Sequence, residues 1–121
     1  MNNNNPLLQK SFQFSIDIIE YTEILTSLKK YNLANQLFRS GTSIGAMVRE
    51  AQSPESLKDF VHKLKIAAKE AEESKYWLEL AERSVHYPSP SKEILINPLT
   101  EVQKLLSSII KTAKNKIENK S

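Results

Sequence analysis

The stretch LANQLFRSGTSIGAMVREAQ, residues 33–52, combines a helical apolar repeat with both glycines of the chain. Its apolar residues recur at spacings of three and four, the period of one helix face; they are Leu33, Leu37, Ile44, Met47, Val48 and Ala51. Glycine inside a helix costs about 1 kcal/mol relative to alanine. Gly41 and Gly45 therefore require a compensating interaction, and a close approach to another helix provides one.

A second patch of small residues lies in the longest predicted helix, at Ala67, Ala68 and Ala71. We expect residues 40–45 to face this alanine patch, because two backbones that approach closely gain dispersion contacts. The Gly-xxx-Gly spacing is best known from membrane helices. Polar residues flank it here, so only the packing logic transfers.

Four amphipathic segments predict the rest of the fold. We place helices from residue 6 to the KKYN segment at 29–32, then over 32–51, 54–85 and 98–116. The predicted helix starts are Asn32, Ser53 with Pro54, and Asn97 with Pro98, and residues 94–96 can add a turn before the last helix. No alternating pattern indicates a strand. The fold class is therefore all-α, an antiparallel up-down four-helix bundle, because the connections are short.

The first helix carries more apolar surface than a lone surface helix needs. It has two adjacent stripes: Leu8, Phe12, Ile16 and Ile19, and Ile18, Tyr21, Leu25 and Leu28. We assign residues 6–117 to one bundle domain, residues 1–5 to a disordered lead and residues 118–121 to a basic tail.

The composition of the 121 residues restricts the possible chemistry. Without cysteine, the chain has no disulfide, thiol nucleophile or cysteine-ligated zinc, which fits a cytoplasmic location. Every apolar run is interrupted before it reaches the length of a membrane span, and MNNNNPLLQK lacks the features of a signal peptide. The net charge of +3 is mildly basic and says little by itself.

Convergent catalytic groups are missing from the sequence. Asp59 and His62 have the spacing of half a di-iron site, but the second such pair is absent, so His62 is better explained as a partly exposed helix residue. The GTSIG segment lacks the lysine of a phosphate loop. Ser40, Thr42 and Ser43 have no nearby histidine to activate them, and their hydroxyls can instead bond to the preceding helical turn. We predict no enzyme activity, no cofactor and no metal site.

Four polar residues near the apolar stripes are candidates for structural roles: Arg39, Ser43, Glu50 and Glu70. A buried or half-buried Arg–Glu pair between the second and third helices would define their register. The alternative is that these side chains extend along the surface to reach solvent.

Two surface features suggest partners. Ile66, Tyr76, Trp77 and Leu80 lie off the main stripe of the third helix, and an extra apolar stripe with aromatic residues is typical of a protein interface, here with another copy of the chain. Lys58, Lys65 and Lys69 recur at helical spacing, with Lys63 nearby, and an oligomer would repeat this basic set. A solvated helix back is the alternative, and Lys111, Lys114 and Lys116 are the next candidates.

The motifs QLFRSGTSIGAMVREAQ (36–52) and KDFVHKLKIAAKEAEESKYWLEL (58–80) resemble the family called four-helix bundle proteins. The family includes proteins encoded in intervening sequences of bacterial large-subunit ribosomal RNA genes and the accessory variability proteins of diversity-generating retroelements. The positions that match its pattern are Arg39, Ser43, Glu50, Phe60, Leu64 and Glu70. The family usually has asparagine where this chain has Met47, which suggests an apolar replacement in the core.

The resemblance implies an antiparallel bundle and, for relatives, a pentameric barrel with a basic surface. In the retroelement branch the barrel binds nucleic acid and works with a reverse transcriptase. We therefore expect a non-enzymatic homopentamer that associates with RNA or DNA, with a reverse transcriptase as a further candidate partner and no membrane association. The alternative is a protein–protein adaptor without affinity for nucleic acid.

Overall fold

The computed structural model describes residues 5–119, and these form four long α-helices without a strand. The helices are α1 (Pro6–Ser27), α2 (Tyr31–Glu50), α3 (Leu57–Arg83) and α4 (Asn97–Asn119), and a π-helical turn, Lys92–Ile96, leads directly into α4. The all-α four-helix prediction is confirmed. Residues 1–4 of the predicted lead and residues 120–121 of the predicted tail lie outside the described residues.

The four helices pack in a ring, with each helix beside the next one in sequence and α4 beside α1. Gly41 lies beside Ile18, whereas Gly45 lies beside Ser11, so α1 and α2 run in opposite directions. Farther along the chain, Ser74 lies beside Ser40, whereas Trp77 and Leu80 share a groove with residues 32–36. Contacts between α3 and α4 follow the same rule, with Glu72 beside Gln103 and Leu57 beside Ala113.

The helix boundaries correct three predicted start signals. Helix α3 begins after Ser56, whose hydroxyl accepts a 3.0 Å hydrogen bond from the Asp59 N–H, and not at Ser53 and Pro54. The Asp59 carboxylate in turn accepts a hydrogen bond from the Glu55 N–H at 3.0 Å. This reciprocal arrangement resembles a capping box and satisfies two otherwise free donors, so it determines the start of α3.

The turn between α1 and α2 explains the second correction. Lys29 has a positive φ of 62°, while the Lys30 N–H bonds to the Leu25 carbonyl and the Lys29 N–H to the Thr26 carbonyl. This is the Schellman pattern that ends a helix. Because the chain reverses so abruptly, α2 already begins at Tyr31, and Asn32 lies inside it instead of capping it.

The remaining differences concern the start of α1 and both ends of α4. Asn5, predicted as part of the lead, caps α1 by accepting a 3.0 Å hydrogen bond from the Leu8 N–H. Asn97 is not the predicted cap, because the π-helical turn continues into α4 and is itself capped by Ser91. Helix α4 then continues to Asn119, beyond the predicted boundary at residue 117.

Only one of the two apolar stripes of α1 enters the core. Its buried side is made by Leu7, Ser11, Phe14, Ile18, Tyr21, Thr22 and Leu25. In contrast, Phe12 is 44% exposed, Ile16 is 40% exposed and Ile19 is 36% exposed, so most of the other predicted stripe faces outward. Leu28, the last residue of the second predicted stripe, is also exposed, at 51%, because it lies at the C-terminal cap of α1.

A buried tyrosine attaches the connection after α3 to the bundle. The Tyr21 hydroxyl donates a 2.6 Å hydrogen bond to the carbonyl oxygen of Pro88. Burial, followed by the nearby Tyr87, raises the pKa of Tyr21 to about 12. The phenol therefore remains a neutral donor at physiological pH, and the segment leading to α4 stays close to α1.

The two glycines allow a close approach between α2 and α1, not between α2 and α3 as predicted. A Cβ atom added at Gly41 would lie 2.9 Å from both Cγ1 and Cγ2 of Ile18. At Gly45 it would lie 3.1 Å from the Ser15 hydroxyl and 3.2 Å from the Ser11 carbonyl oxygen. The prediction treated residues 40–45 as one patch, but consecutive helical residues are about 100° apart and meet different neighbours.

Ser40 is the residue of that segment that faces α3. Its hydroxyl accepts a 2.9 Å hydrogen bond from the Ser74 hydroxyl, and both side chains are fully buried. Ala67 and Ala71, also buried, keep the surface of α3 narrow near this contact. Small residues therefore bring α2 close to both of its neighbours, with glycine on one side and serine on the other.

We expect Gly41→Ala to destabilise the protein by about 1–3 kcal/mol, although alanine is the better helix former. The reason is the close contact of the new Cβ atom with the two γ-carbons of Ile18, whose side chain is fully buried. In an Ile18→Ala background the same change should be neutral or stabilising. An Ile18→Val background keeps the Cβ branch and serves as the control. Urea unfolding of the single and double variants measures the coupling, and equal effects in all three backgrounds would contradict the close contact.

Candidate nucleic-acid and assembly surfaces

Three of the four lysines singled out in the third helix share one side of α3. Lys65 and Lys69 precede Glu72 by seven and three residues, so they lie on the same side of the helix as Glu72. Lys58 lies a further seven residues before Lys65, and all three lysines are exposed. Glu72 accepts a 2.9 Å hydrogen bond from the Gln103 amide of α4, so this side of α3 borders α4.

Lys63 does not belong to this group. Its ammonium lies 3.2 Å from the Asp59 carboxylate, and both side chains are partly buried. Hydrogen bonds from the Glu55 N–H and from Lys63 hold the pKa of Asp59 below its usual range. Asp59 therefore remains charged, and its carboxylate balances the charge of Lys63 through an ion pair within α3.

Helix α4 contributes a second set of lysines to the same side of the bundle. Lys104 and Lys111 line a recess of about 550 Å³ together with Glu72 of α3. Lys114 follows Lys111 by three residues and is also exposed. Sequence reasoning treated the lysines at 111 and 114 as an alternative to those of α3 and did not include Lys104. The sequence does not show that α3 and α4 place these lysines on the same side of the bundle.

We call this surface the lysine face and define it by Lys58, Lys65 and Lys69 of α3 and Lys104, Lys111 and Lys114 of α4. Among residues 5–119, none of these six forms an ion pair, whereas Lys10 pairs with Glu101 at 2.9 Å. Lys116, the third candidate near the C-terminus, lies elsewhere, in a groove with Leu57 and Phe60.

Two apolar patches lie on other sides of the bundle. The first, the α1–α2 patch, consists of Phe12, Ile16, Ile19 and Phe38, which are all exposed. Arg49 of α2 lies 5.3 Å from the centre of the Phe12 ring, so the patch extends across both helices. Sequence reasoning missed it as an exposed surface because its α1 residues have the spacing of a core stripe.

The second, the α2–α3 patch, contains three of the four predicted interface residues: Ile66, Trp77 and Leu80. Trp77 and Leu80 line a groove of about 320 Å³ with residues of α2. Trp77 is partly covered by its own chain and packs against the core, and Leu80 is 43% exposed. Tyr76, the fourth predicted residue, is exposed and contacts Trp77 edge-on, with 5.2 Å between the ring centres.

Arg39 connects α2 to α3 through two carboxylates. Its guanidinium lies 3.0 Å from the Glu70 carboxylate and also pairs with Glu73, which in turn accepts a 3.3 Å hydrogen bond from the Trp77 indole. The hydrogen bond from Arg39, which is the largest cause, holds the pKa of Glu73 below its usual range. The structure thus contains the considered Arg–Glu pair at the surface, together with a second acid that sequence reasoning missed.

The other two polar candidates lie outside this network. Ser43 donates a 2.5 Å hydrogen bond to the Arg39 carbonyl, the back-bonding expected for a hydroxyl inside a helix. Glu50 is exposed in the last turn of α2. Met47, where the family usually has asparagine, is half-buried and packs against the core.

Between residues 5 and 119 no group of three or more potential metal ligands converges, and His62 is exposed on α3. None of the helices in this part of the chain is long and apolar enough to cross a bilayer.

The fold and its surfaces define a four-helix bundle protein with six exposed lysines along α3 and α4 and two exposed apolar patches. The chain belongs to the 23S rRNA-intervening sequence protein family, whose model matches residues 3–108. This confirms the predicted resemblance to the ribosomal RNA branch.

The chain is also similar to a crystal structure from Bacteroides thetaiotaomicron, described as a protein with unknown function from the S23 ribosomal protein family. The two are 43% identical with a TM-score of 0.81, and the similarity covers 87% of this chain and 98% of that one. Neither description names an enzymatic activity. No curated protein matched the chain.

We expect Arg39→Gln to lower the free energy of unfolding by about 0.2–1 kcal/mol at neutral pH, the usual range for an exposed ion pair. Because the folded-state pKa of Glu73 is depressed, the pair stabilises above the unfolded-state pKa of glutamate and loses its effect as pH falls through the lower folded value. The difference between the variant and the original protein should therefore shrink in acid. Denaturant unfolding at several pH values tests this, with Lys75→Gln on exposed α3 surface as the control. A difference that is independent of pH would contradict the proposed charge interaction.

Proposed function

We propose that this protein is a non-catalytic, homo-oligomeric accessory protein that binds nucleic acid through its lysine face. The observation that carries the proposal is the presence of six exposed lysines on one side of α3 and α4. Phosphate contacts by lysine supply most sequence-independent affinity for nucleic acid. The family description, which refers to intervening sequences of 23S rRNA, supports the same direction.

The apolar patches support assembly with further copies of the chain. They lie on the α1–α2 and α2–α3 sides, and adjacent sides of a four-helix bundle meet at about a right angle. Two different patches at such an angle can form head-to-tail contacts that close into a small ring. The pentamer implied by the family resemblance is such a ring. This arrangement would leave the α3–α4 side free, with its lysines repeated around the assembly.

We expect the protein to form a closed oligomer at micromolar concentration, and Ile16→Lys to break it by placing a charge in the α1–α2 patch. Ile24→Lys is the matched control, because Ile24 is an isoleucine of the same helix with 50% exposure outside the patch. Light scattering gives the masses. A monomer mass for the unmodified protein, or equal effects of both substitutions, would contradict the assembly.

Head-to-tail contacts also predict a specific mixing result. Leu80→Lys should break the α2–α3 patch, so either variant alone should be monomeric at the same concentration. A mixture of Ile16→Lys and Leu80→Lys chains retains one intact copy of each patch and should form dimers that cannot grow further. If the mixture stays monomeric, the two patches do not bind one another.

For nucleic acid, we expect binding that weakens steeply between about 50 and 200 mM salt, because lysine contacts release condensed counterions. Replacing Lys58, Lys65 and Lys69 with glutamine should reduce the slope of log affinity against log salt by about 2 to 3. A control that replaces Lys10, Lys29 and Lys92 removes the same charge from other surfaces and should leave most of the slope.

The adaptor function is the second candidate, and the apolar patches support it as well, because they could bind a different protein. The salt titration separates the two candidates. Absence of binding to RNA and DNA at about 50 mM salt, where the electrostatic contribution is strong, would favour the adaptor. Equal loss of affinity in both triple variants would mean that the lysine face is not the binding site.

A further inference from the structure

We propose that the lysine face binds the sugar–phosphate backbone of a double helix, in preference to an unpaired strand. This inference rests on the proposed function and names the class of nucleic acid that the face would take. It follows from the arrangement of the six lysines, the polar groups between them and the aromatic residues of the surface.

The lysines form two rows on two neighbouring helices that run in opposite directions. The α3 row extends over eleven helical steps from Lys58 to Lys69 and the α4 row over ten from Lys104 to Lys114, which at 1.5 Å per residue is about 15 to 17 Å of helix. Packed helix axes lie about 8–10 Å apart. A double helix presents two phosphate strands on either side of a groove, about 6 or 12 Å wide in B-DNA. Two rigid rows at this separation can each contact one strand, whereas a single strand would follow only one row.

The recess beside the α4 row, which α3 borders through Glu72, is lined mostly by groups that donate hydrogen bonds. Ser107 and Ser108 lie there between Lys104 and Lys111. Among the described residues, neither serine hydroxyl has a hydrogen-bond partner, whereas Thr42 and Ser43 bond back to their own helix at 2.6 and 2.5 Å. Hydroxyl and ammonium groups are the usual side-chain contacts to phosphate oxygens. The recess also contains one carboxylate, Glu72, which already accepts a hydrogen bond from Gln103.

The lysine face offers little aromatic surface on which unstacked bases could stack. The aromatic residue on that side of α3, Tyr76, is 57% exposed and makes an edge-on contact with Trp77, so it provides at most one stacking position in each subunit. Proteins that bind single strands without sequence preference combine positive charge with exposed aromatic side chains that stack on bases. A single strand would therefore gain charge contacts and at most one stacked base per subunit, and it carries half the charge density of a duplex.

Fluorescence anisotropy with three labelled probes tests the proposal: a 20-base-pair RNA duplex, a DNA duplex of matching sequence and a single RNA strand unable to pair with itself. At about 50 mM salt we expect at least one duplex to bind about tenfold or more tightly than the single strand. Stronger binding of the RNA duplex alone, the DNA duplex alone or both supports the inference. The comparison of the two duplexes shows whether the lysine face binds RNA, DNA or both.

Row-specific variants test the geometry. Lys65→Gln with Lys69→Gln weakens the α3 row, and Lys104→Gln with Lys111→Gln weakens the α4 row. Each pair should reduce the preference for duplex toward unity, while Lys10→Gln with Lys92→Gln should preserve it. Circular dichroism establishes that the variants remain helical. A duplex preference that survives both row variants would overturn the inference.

The outcomes also separate this inference from the proposed function. If the single strand binds as tightly as the duplexes or more tightly, the inference is wrong while the proposed nucleic-acid function stands. If no probe binds, both are wrong and the adaptor function remains.

Discussion

The packing of α2 between two neighbours is the constraint on which the rest of the structure depends. On one side Gly41 and Gly45 allow α1 to approach so closely that no Cβ fits without displacement of Ile18 or Ser15. On the other side the buried hydroxyls of Ser40 and Ser74 join α2 to α3. Dispersion attraction depends steeply on distance, so small residues that permit close approach offset the poor helix propensity of glycine.

This central position of α2 also determines what remains outside. Since the buried stripe of α1 already occupies the core, Phe12, Ile16 and Ile19 must face outward beside α2. On the other side, Arg39 joins α2 to Glu70 and Glu73, and Glu73 orients the Trp77 indole through a hydrogen bond. Both apolar patches thus adjoin α2, and both depend on its contacts with its neighbours.

The lysines of the bundle differ in whether an acidic side chain lies close enough to form an ion pair with them. Some lysines pair with acids, as Lys63 does with Asp59 and Lys10 does with Glu101. The six lysines of the lysine face form no ion pair among the described residues, although Glu72 shares a recess with Lys104 and Lys111, and Glu118 shares one with Lys111 and Lys114. Exposed lysines thus cluster on α3 and α4 although the net charge is only +3. Overall net charge is therefore a poor guide to the local field, which depends on where unpaired charges converge.

Helical periodicity and residue type are local properties, so the sequence alone was enough to predict the four helices, the all-α class, most of the core of α2 and the absence of disulfide chemistry. It could not determine which neighbour meets Gly41, which stripe of α1 is buried or that Lys104 and Lys111 lie beside Glu72. Those facts depend on the rotation of each helix about its axis and on the choice of neighbours. Only tertiary packing sets them. Successive side chains of a helix point about 100° apart, so neighbouring positions in the sequence can meet different helices.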